Sequence, residues 1–376
     1  MKTRAAVLYS MDRTRPYAAS KALIVEEVDL ASPGPGCVLV EIVAAGLCHS
    51  DLSVINGVRP RVMPMVLGHE AAGIVRETGP GSDDFSPGDH VVFSYVPACG
   101  RCLYCAVGRP ALCEKGAAAN AAGTLLNGER CFTNSAGTAL HHHLGVSGFS
   151  RFTVAAAESL IKIDADLPLE IAALFGCAVI TGVGAVINSA RVEPGSSIAI
   201  FGLGGVGLSA VLGGSIAGAQ SIIAIDTVPE KLNTARKLGA TETVRAGDSD
   251  VVAMIRELSH GGVDYAFECA GIEAVMTQAY EATRRGGTTI AVGLPPPQKR
   301  LAIPIVSLVA EERTVKGSYM GSAVPRRDIP RLIALHRAGR LPVELLLSGS
   351  IELEELNAAF DRLENGEAVR QILSFH

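Results

Sequence analysis

Four cysteines lie between residues 99 and 113 with the spacing C-x₂-C-x₂-C-x₇-C. Four thiolates this close together can close a tetrahedral shell around one metal ion, which is typical of a structural zinc site. An iron–sulfur cluster and four free thiols are the alternatives, and the density of cysteines favours zinc. The predicted ligands, in a lobe spanning residues 97–115, are Cys99, Cys102, Cys105 and Cys113.

A second set of possible metal ligands is spread along the chain and consists of Cys48, His69 and Cys177. Two thiolates and one imidazole would leave the fourth position of a zinc ion open for water or substrate, as a catalytic zinc requires. Spacing does not show that these side chains meet. A buried cysteine is often a small hydrophobic residue and a single histidine is often a core residue, so both interpretations stay open at this point.

A glycine-rich segment, Gly202-Leu-Gly-Gly-Val-Gly207, lies between a predicted strand and a predicted helix, and Asp226 ends the next strand. Glycines allow a tight turn and let the backbone approach a pyrophosphate, which the helix N-terminus attracts. An acid at position 226 can bind both ribose hydroxyls and would repel a 2′-phosphate, which favours NAD over NADP. A glycine-rich turn without a ligand is the alternative. The predicted coenzyme loop comprises Gly202, Gly204, Gly205, Val206 and Gly207.

The elements that must position these groups fall into two kinds. Short β-rich runs separated by Gly, Pro and Asp turns extend to about Arg191 and predict a β-rich domain. From Gly195 to about Val315, strands alternate with helices, which indicates a parallel sheet with helices on both faces. The tail, with two amphipathic helices and a last strand, is similar to the first region. The predicted strands of the alternating region are Ser196–Phe201, Ser221–Ile225, Val263–Phe267 and Thr288–Val292, and its first two helices are Gly205–Gly218 and Pro229–Leu238.

Length and composition limit the possible classes of protein. The 376 residues suit two domains, and the net charge of −5 disfavours a broad nucleic-acid surface. The nine cysteines are an odd number, and no signal-peptide pattern precedes them, so a cytoplasmic protein is favoured over a secreted disulfide framework. Glycines interrupt the most apolar stretch, residues 198–225, and no membrane span is expected.

The chain resembles the zinc-containing, medium-chain alcohol dehydrogenases over nearly its whole length, because several of its motifs occur in the same order as in that family. The resemblance implies an α/β chain with a GroES-like catalytic domain at 1–178 and 320–376, a Rossmann domain at 179–319, and an active site in the cleft between them. It also implies that Cys48, His69 and Cys177 hold a catalytic zinc, with Glu70 behind the metal and Asp51 orienting His69. The matching segments include Gly46-Leu-Cys-His-Ser-Asp51, Gly68-His-Glu-Ala-Ala-Gly73, Leu144-Gly-Val-Ser-Gly-Phe149, Gly176-Cys-Ala-Val-Ile-Thr-Gly-Val-Gly184 and Gly366-Glu-Ala-Val-Arg370.

The same resemblance implies which residues take part in the reaction and bind the coenzyme. An alcohol gives a hydride to NAD with zinc as Lewis acid, and Ser50 accepts the alcohol proton. Many members end the proton relay with a histidine where this chain has Ser53, so we expect the proton to leave through water or a nearby base. His49 and Arg370 correspond to pyrophosphate contacts, and Lys231 lies near the adenosine ribose. Thr181 and Val292 complete the expected coenzyme contacts, with Asp226.

The expected substrate pocket combines three polar-tipped rings with aliphatic and basic residues. His143 falls at a pocket-wall position where relatives often have an aromatic hydrocarbon, which disfavours a third metal site in the tract 141–143. Arg59 counts against a glutathione adduct, because members acting on such adducts tend to have an acid in that region. The predicted pocket residues are Ser50, Arg59, Tyr95, Leu112, His143, Leu294 and Tyr319.

The long insert 114–137 resembles the dimeric branch of the family and predicts a homodimer. Its Ala/Gly stretch at 117–123 is expected to be a loop, and 288–294 and 301–309 are expected to form the seam, joining the Rossmann sheets edge to edge. Cys37, Cys131 and Cys269 have no predicted role.

The predicted function is NAD-dependent, zinc-dependent oxidation of primary or secondary alcohols to aldehydes or ketones. An aldehyde reductase or an S-hydroxymethylglutathione dehydrogenase of the same superfamily is the alternative, and a non-catalytic zinc-stapled binding protein is a remote one. The expected partners are a small alcohol or aldehyde and a second copy of the chain, with no nucleic acid and no membrane.

Overall fold

The structure is a computed structural model that describes residues 1–247 and 250–375. Its strands within these residues are β1 (Lys2–Leu8), β2 (Ile24–Leu30), β3 (Cys37–Gly46), β4 (Met65–Val66), β5 (Glu70–Thr78), β6 (His90–Phe93), β7 (Phe132–Thr133), β8 (Ala139–His142), β9 (Phe152–Ala156), β10 (Leu160–Ile163), β11 (Ser197–Phe201), β12 (Ser221–Asp226), β13 (Glu242–Arg245), β14 (Val263–Glu268), β15 (Thr283–Ala291), β16 (Thr314–Gly317), β17 (Leu347–Ile351) and β18 (Arg370–Ser374). Its α-helices are α1 (Tyr17–Ser20), α2 (His49–Ile55), α3 (Leu103–Ala106), α4 (Glu114–Ala122), α5 (Leu169–Ala172), α6 (Ala178–Gly184), α7 (Gly205–Ala217), α8 (Pro229–Lys237), α9 (Val251–Leu258), α10 (Glu273–Ala282), α11 (Ile305–Ala310), α12 (Pro325–Arg337) and α13 (Leu356–Glu364).

The chain forms two compact units. Unit 1 comprises Met1–Cys177, Val324–Ile333 and Leu347–His376, and unit 2 comprises Ala178–Ala323 and Ala334–Leu346. The predicted bounds differ at the C-terminal return, because they assign all of 320–376 to the first domain. In the structure, Val343 and Leu346 are buried and their turn packs against α7, so this part of the return belongs to unit 2.

Unit 1 contains a closed barrel and an open sheet. The barrel strands follow the order β1-β2-β7-β8-β4, and their inward side chains form an apolar core that includes Val28, Phe132 and Leu140. Two of the cysteines without a predicted role, Cys37 and Cys131, are buried in this core, where free cysteine behaves as a small hydrophobic residue. The barrel therefore accounts for these two cysteines by packing.

The open sheet of unit 1 brings distant segments to one edge. Its order is β10-β6-β5-β3-β18-β17, with β9 also paired to β3. Gly46 at the end of β3 lies opposite Glu70 at the start of β5, and opposite Ile372 in the middle of β18. Because β3 is antiparallel to both neighbours, the residues after β3, before β5 and before β18 all meet at the same end of the sheet.

Unit 2 is a doubly wound α/β fold. Its six strands are all parallel and follow the order β13-β12-β11-β14-β15-β16. Successive strands are added on one side of β11 up to β13 and on its other side from β14 onwards, as in a doubly wound sheet. The core includes Phe201, Ile225 and Val263, from three neighbouring strands. The predicted α/β class is confirmed, and the predicted strands and helices of this region agree with the observed elements to within a few residues, except that β15 begins at Thr283 rather than at 288.

One local prediction was wrong. The stretch 117–123 was expected to be a loop, but it lies largely within α4. The Cys113 thiol caps this helix by accepting a hydrogen bond from the Gly116 N–H at 3.3 Å, and Gly123 ends it in the left-handed conformation with φ +66°. Alanine has the highest helix propensity, so a capped alanine-rich segment forms a helix even though its glycine content suggests a loop.

The apolar stretch 198–225, which contributes to the mean hydropathy of +0.31, lies in unit 2 and is mostly buried, except around residues 215–221. Among the described residues, no single helix is long and apolar enough to cross a membrane. One bent pair, Leu169–Gly176 with Ala178–Ala190, satisfies the criteria by length and composition only.

Candidate active site

Cys48, His69 and Cys177 meet in unit 1 at the end of the open sheet. Cys48 precedes α2, His69 directly precedes β5, and Cys177 follows a short 3₁₀ turn at 173–176. All three side chains are buried, and their donor atoms and a carboxylate oxygen of Glu70 lie within 4.8 Å of one another. The sequence left it open whether the three ligands meet, and the fold brings them together.

The imidazole of His69 has one nitrogen on a carboxylate and one facing the thiols. Its Nδ1 lies 3.0 Å from Asp51 Oδ2, and both side chains are buried. Its Nε2 lies 3.7 Å from Glu70 Oε1 and belongs to the group that includes Cys48 and Cys177. Two thiols and one oriented imidazole nitrogen are the donor set that zinc prefers, so these residues fit a catalytic zinc ion.

Gly68 allows His69 to approach Asp51. Its φ of +93° is in the left-handed region, and a Cβ at this position would lie 2.5 Å from the Phe149 backbone nitrogen. The Gly68 N–H donates to Asp51 Oδ1 at 3.1 Å. A residue with a side chain would therefore strain the turn that carries His69 and would displace the hydrogen bond to Asp51.

The electrostatics favour a thiolate at this site. A hydrogen bond from Cys177 lowers the pKa of Cys48 well below its usual value, and the charge of Arg370 lowers it further against the effect of burial. For His69, burial opposes the charged form, but Asp51 and Cys48 raise its pKa well above the usual value. The sulfur of Cys48 and the carboxylate of Asp51 thus place negative charge around His69. A divalent cation bound there would stabilise this charge.

Glu70 and Arg370 form a buried pair behind the thiols. Arg370 Nη1 lies 2.9 Å from Glu70 Oε1 and also donates to the Leu47 carbonyl at 2.9 Å. Burial raises the pKa of Glu70 to about 7, against the opposing charge of Arg370. Arg370 was predicted to contact the coenzyme pyrophosphate; in the structure it is 2% exposed, and its Nη1 is held by Glu70 and Leu47.

Two predicted pocket residues lie against the His69 ring. Tyr95 makes an edge-to-face contact with it at a centroid distance of 5.6 Å, and His143 makes one at 5.4 Å. His143 also places Nδ1 at 3.0 Å from Asp51 Oδ1. In unit 1, Arg59 is partly exposed and Leu112 is exposed, and in unit 2 both Leu294 and Tyr319 are exposed.

The first turn of α2 carries other residues that were predicted to take part in the reaction. His49 is exposed and Ser50 is partly exposed at the helix start, directly after Cys48. The Ser53 hydroxyl, at the position of the missing relay histidine, donates to the Ser50 carbonyl at 2.8 Å. Ser53 is therefore engaged by its own helix, and its hydroxyl proton is used in that bond.

The four-cysteine lobe has the geometry of a closed metal site. The four Sγ atoms lie within 4.8 Å of one another, and Cys113 Sγ accepts hydrogen bonds from the backbone N–H groups of Cys99 and Gly116, each at 3.3 Å. Backbone N–H groups of Cys105 and Glu114 lower the pKa of Cys102 to about 6. A thiolate set with four donors and no open position fits a structural zinc ion.

The coenzyme loop of unit 2 is shaped by its glycines and by Asp226. Gly202 has φ +87°, and a Cβ on Gly207 would lie 1.8 Å from the Gly202 carbonyl oxygen, so the turn excludes a side chain there. The Asp226 carboxylate accepts from the Leu203 N–H at 2.7 Å and from the Val228 N–H at 2.9 Å. The other predicted contacts in unit 2 are Thr181 and Val292, which are buried, and Lys231, which is partly exposed.

Sequence reasoning missed two pairings at this site. The Asp51–His143 contact could have been suspected from a histidine at a position where relatives often have a hydrocarbon ring. The Glu70–Arg370 pair joins residues 300 positions apart, and no local signal predicts it. Both depend on the packing of separate strands of unit 1.

Comparisons with known proteins agree with this geometry. An alcohol dehydrogenase GroES-like domain matches residues 34–165, and a zinc-binding dehydrogenase domain matches residues 205–337. An S-(hydroxymethyl)glutathione dehydrogenase from Synechocystis is 37% identical over the full length of both chains.

Solved structures show the same similarity. An alcohol dehydrogenase zinc-binding domain protein from Burkholderia ambifaria has a TM-score of 0.94 and 38% identity, covering 100% of this chain and 99% of that one. Benzyl alcohol dehydrogenase from Acinetobacter calcoaceticus has a TM-score of 0.93 and 31% identity, covering all of both chains. The chain therefore belongs to the zinc-containing, medium-chain alcohol dehydrogenase family, whose members are oxidoreductases that use zinc and NAD.

Proposed function

We propose that this chain oxidises small primary or secondary alcohols with NAD, at a zinc ion held by Cys48, His69 and Cys177. The observation that carries the proposal is the buried set of two thiols and one imidazole, with Asp51 on the far nitrogen of that imidazole. Zinc bound there supplies a Lewis acid that lowers the pKa of an alcohol hydroxyl, and NAD accepts the hydride.

The protein groups around the ligands have separate tasks. Asp51 holds the His69 ring so that Nε2 faces the two thiols, and Arg370 balances the negative charge of Glu70 and the thiolates. Ser50, at the start of α2 beside Cys48, accepts the proton of the substrate hydroxyl and passes its own proton on to water or a nearby base. In unit 2, the glycine loop and Asp226 bind the coenzyme. Both Asp226 oxygens accept backbone N–H groups, and the negative charge of this carboxylate favours the ribose hydroxyls of NAD over a 2′-phosphate.

The charge near the substrate residues favours neutral or anionic alcohols. Arg59 and Arg61 follow α2, and the Arg61 charge is close enough to contribute, after burial, to lowering the pKa of His143. Tyr95 adds an aromatic wall beside His69. The similarity to benzyl alcohol dehydrogenase supports a primary aromatic alcohol as one substrate.

A glutathione adduct is the second candidate substrate, because the Synechocystis relative is named for it. Glutathione carries two carboxylates and one ammonium group. These charges sum to −1, so Arg59 would attract the adduct as it attracts other anionic alcohols. What counts against the adduct is the pattern of the family, in which members acting on such adducts tend to have an acid in the region of Arg59.

The test measures zinc content and NAD reduction on the purified full-length protein. We expect two zinc ions per chain and NADH formation with aliphatic or aromatic alcohols, with NADP much less effective as coenzyme. Cys48→Ser should lose one zinc and the activity, whereas Cys37→Ser, a buried cysteine outside both metal groups, should keep both. One zinc per chain and no NAD reduction would contradict the proposal.

The substrate assignment is decided by parallel assays with formaldehyde plus glutathione and with alcohols bearing a carboxylate. Efficient turnover of the glutathione adduct in preference to every alcohol would favour the second candidate. Arg59→Ala should weaken the carboxylate-bearing alcohols relative to the neutral ones. An unchanged ratio of kcat/KM for these two groups would exclude the role of Arg59 in substrate choice.

We also propose a homodimer joined through unit 2. The apolar side chains of α11 are exposed, with Ile305 at 76%, Val306 at 73% and Val309 at 70%, and every residue of the edge strand β16 is exposed. Exposed apolar residues beside an unpaired strand edge are typical of an interface between copies of a chain.

A further inference from the structure

A second histidine lies against the carboxylate that orients His69. Asp51 is fully buried, and its two oxygens face different rings: Oδ2 lies 3.0 Å from His69 Nδ1, and Oδ1 lies 3.0 Å from His143 Nδ1. Oδ1 also accepts the Gly68 N–H at 3.1 Å. The two rings are inclined at 76° with their centroids 5.4 Å apart, so one carboxylate is shared by both imidazoles.

The geometry agrees with a donor role for His143. Its ring is buried, and Nδ1 is the nitrogen that lies 3.0 Å from Asp51 Oδ1. A neutral ring carries one proton, and the nitrogen that faces a carboxylate is the one that holds it.

The backbone of His143 is held independently of Asp51. Its N–H donates to the Ser147 hydroxyl at 3.1 Å, and its carbonyl accepts from the Val146 N–H at 3.0 Å. The Ser147 hydroxyl in turn donates to the Val66 carbonyl at 3.0 Å. A substitution of the His143 side chain should therefore leave this turn in place and remove mainly the contact with Asp51.

We propose that His143 is a positioning residue for the catalytic zinc, acting through Asp51 on His69. With Nδ1 of His143 and the N–H of Gly68 both on Oδ1, the carboxylate cannot rotate freely, and Oδ2 stays on His69 Nδ1. His69 Nε2 is then presented to the metal in a fixed direction. This inference rests on the zinc site of the proposed function. A phenylalanine at this position would fill the space of the ring without offering a donor.

The experiment compares His143→Phe with the native protein, using the full chain loaded with zinc. The first measurement is the rate at which the catalytic zinc passes to a chromophoric chelator, and the second is the visible spectrum of protein with Co²⁺ at that site. We expect zinc loss about 10-fold faster, at the low end of effects for partners of metal ligands, and a shifted cobalt spectrum. His141→Phe, on β8 beside Arg130, is the matched control and should behave as native.

Two further variants separate the donor from its packing. His143→Gln restores an N–H donor and should recover most of the zinc retention, whereas His143→Met, of similar size without a donor, should not. Equal zinc release and equal cobalt spectra in these two variants would overturn the proposal, even if His143→Phe did not fold.

The metal measurements do not depend on turnover. If the native protein holds two zinc ions but oxidises no alcohol, the proposed function fails while the role of His143 is still decided by zinc release. If zinc release from His143→Phe equals that of native protein, the role of His143 fails while the proposed function stands.

Discussion

Ser53 shows how one residue changes the expected proton path. Its hydroxyl donates to the Ser50 carbonyl one turn earlier in α2, so it is engaged by the helix and does not titrate near neutral pH. A histidine at this position, as in many relatives, could accept a proton from the substrate relay. In this chain the proton is expected to leave through water or a nearby base.

Ser53→His should therefore raise the rate of NAD reduction several-fold below neutral pH, because an imidazole accepts a proton near its pKa of about 6.5. The measurement is the single-turnover rate of NADH formation as a function of pH. Ser53→Asn, which removes the hydroxyl without adding a titrating group, is the control. Identical pH profiles for the three proteins would mean that this position does not limit proton release.

His142 makes the stability of unit 1 sensitive to acid. It is fully buried at the end of β8, where Nε2 accepts the Cys131 N–H at 3.1 Å, and burial lowers its pKa to about 3. Above about pH 6.5 the folded and unfolded states are both neutral at this residue, and it adds no pH dependence. Below that pH, only the unfolded state binds the proton, until the folded pKa is reached.

The free energy of unfolding should therefore fall by up to about 1.4 kcal/mol per pH unit between these two pKa values because of His142. Urea unfolding of zinc-loaded native protein and His142→Gln over this range isolates the contribution as a difference, since protonation of the zinc ligands affects both. The native protein should lose stability more steeply. Parallel pH dependences would show that His142 is not buried as a neutral ring.

At the scale of elements, two helices of the lobe begin at cysteine ligands. Cys102 precedes α3 and Cys113 precedes α4. The Gly116 N–H donates to the Cys113 sulfur at 3.3 Å, and backbone N–H groups of Cys105 and Glu114 lower the pKa of Cys102. Unpaired N–H groups at a helix start favour an anion, so the helices stabilise the thiolates that zinc needs. The first of these helices, α3, buries none of its residues.

Cys113→Ala should release one zinc per chain and lower the free energy of unfolding by about 4 kcal/mol or more, as expected for the loss of a structural metal. Zinc analysis and urea unfolding provide the measurements. Cys131→Ala is the matched control, since Cys131 is buried in the barrel outside both metal groups; it should keep both zinc ions. Two zinc ions in Cys113→Ala would contradict the assignment of the lobe.

At the scale of the whole molecule, the sheet of unit 2 indicates where a second copy could pair. The predicted seam included the strand at 288–294, but residues 288–291 of β15 pair with β14 on one side and β16 on the other, so they have no free edge. The edge belongs to β16, with the exposed side chains of α11 nearby in sequence. The proposed pairing therefore shifts to β16, and the predicted segment 301–309 keeps its place in the seam.

Val306→Asp should convert the expected dimer to a monomer, because it places a charge on the most apolar part of α11. Molar mass from light scattering after size-exclusion chromatography gives the answer directly. Val107→Asp, at a 60% exposed position of the lobe in unit 1, is the control and should stay dimeric. A monomeric native protein, or a dimeric Val306→Asp variant, would exclude this interface.

Most of the local structure could be predicted from the sequence. Apolar runs bounded by glycine and proline mark β11, β12 and β14, because their periodicity is a property of neighbouring residues. The helix α4 was missed because glycine and alanine have opposite propensities and the deciding cap is a cysteine thiol. The strand at 288–294 was wrongly expected at an edge of the sheet, because strand order depends on pairing between distant segments.

The amino-acid types and their spacing are sufficient to predict the four-cysteine zinc site and a dinucleotide loop, since each depends on chemistry or turns within a short segment, and the order of the motifs along the chain indicates the family. They do not reveal that Cys48, His69 and Cys177 meet, or that Asp51 lies between two histidines. Those contacts follow from the antiparallel pairing of β3 with β5 and β18, which joins Gly46 to both Glu70 and Ile372. Because this end of the sheet is buried, a charged group there is stable only when another group pairs with it. This requirement applies only in the folded chain, where the groups are removed from water.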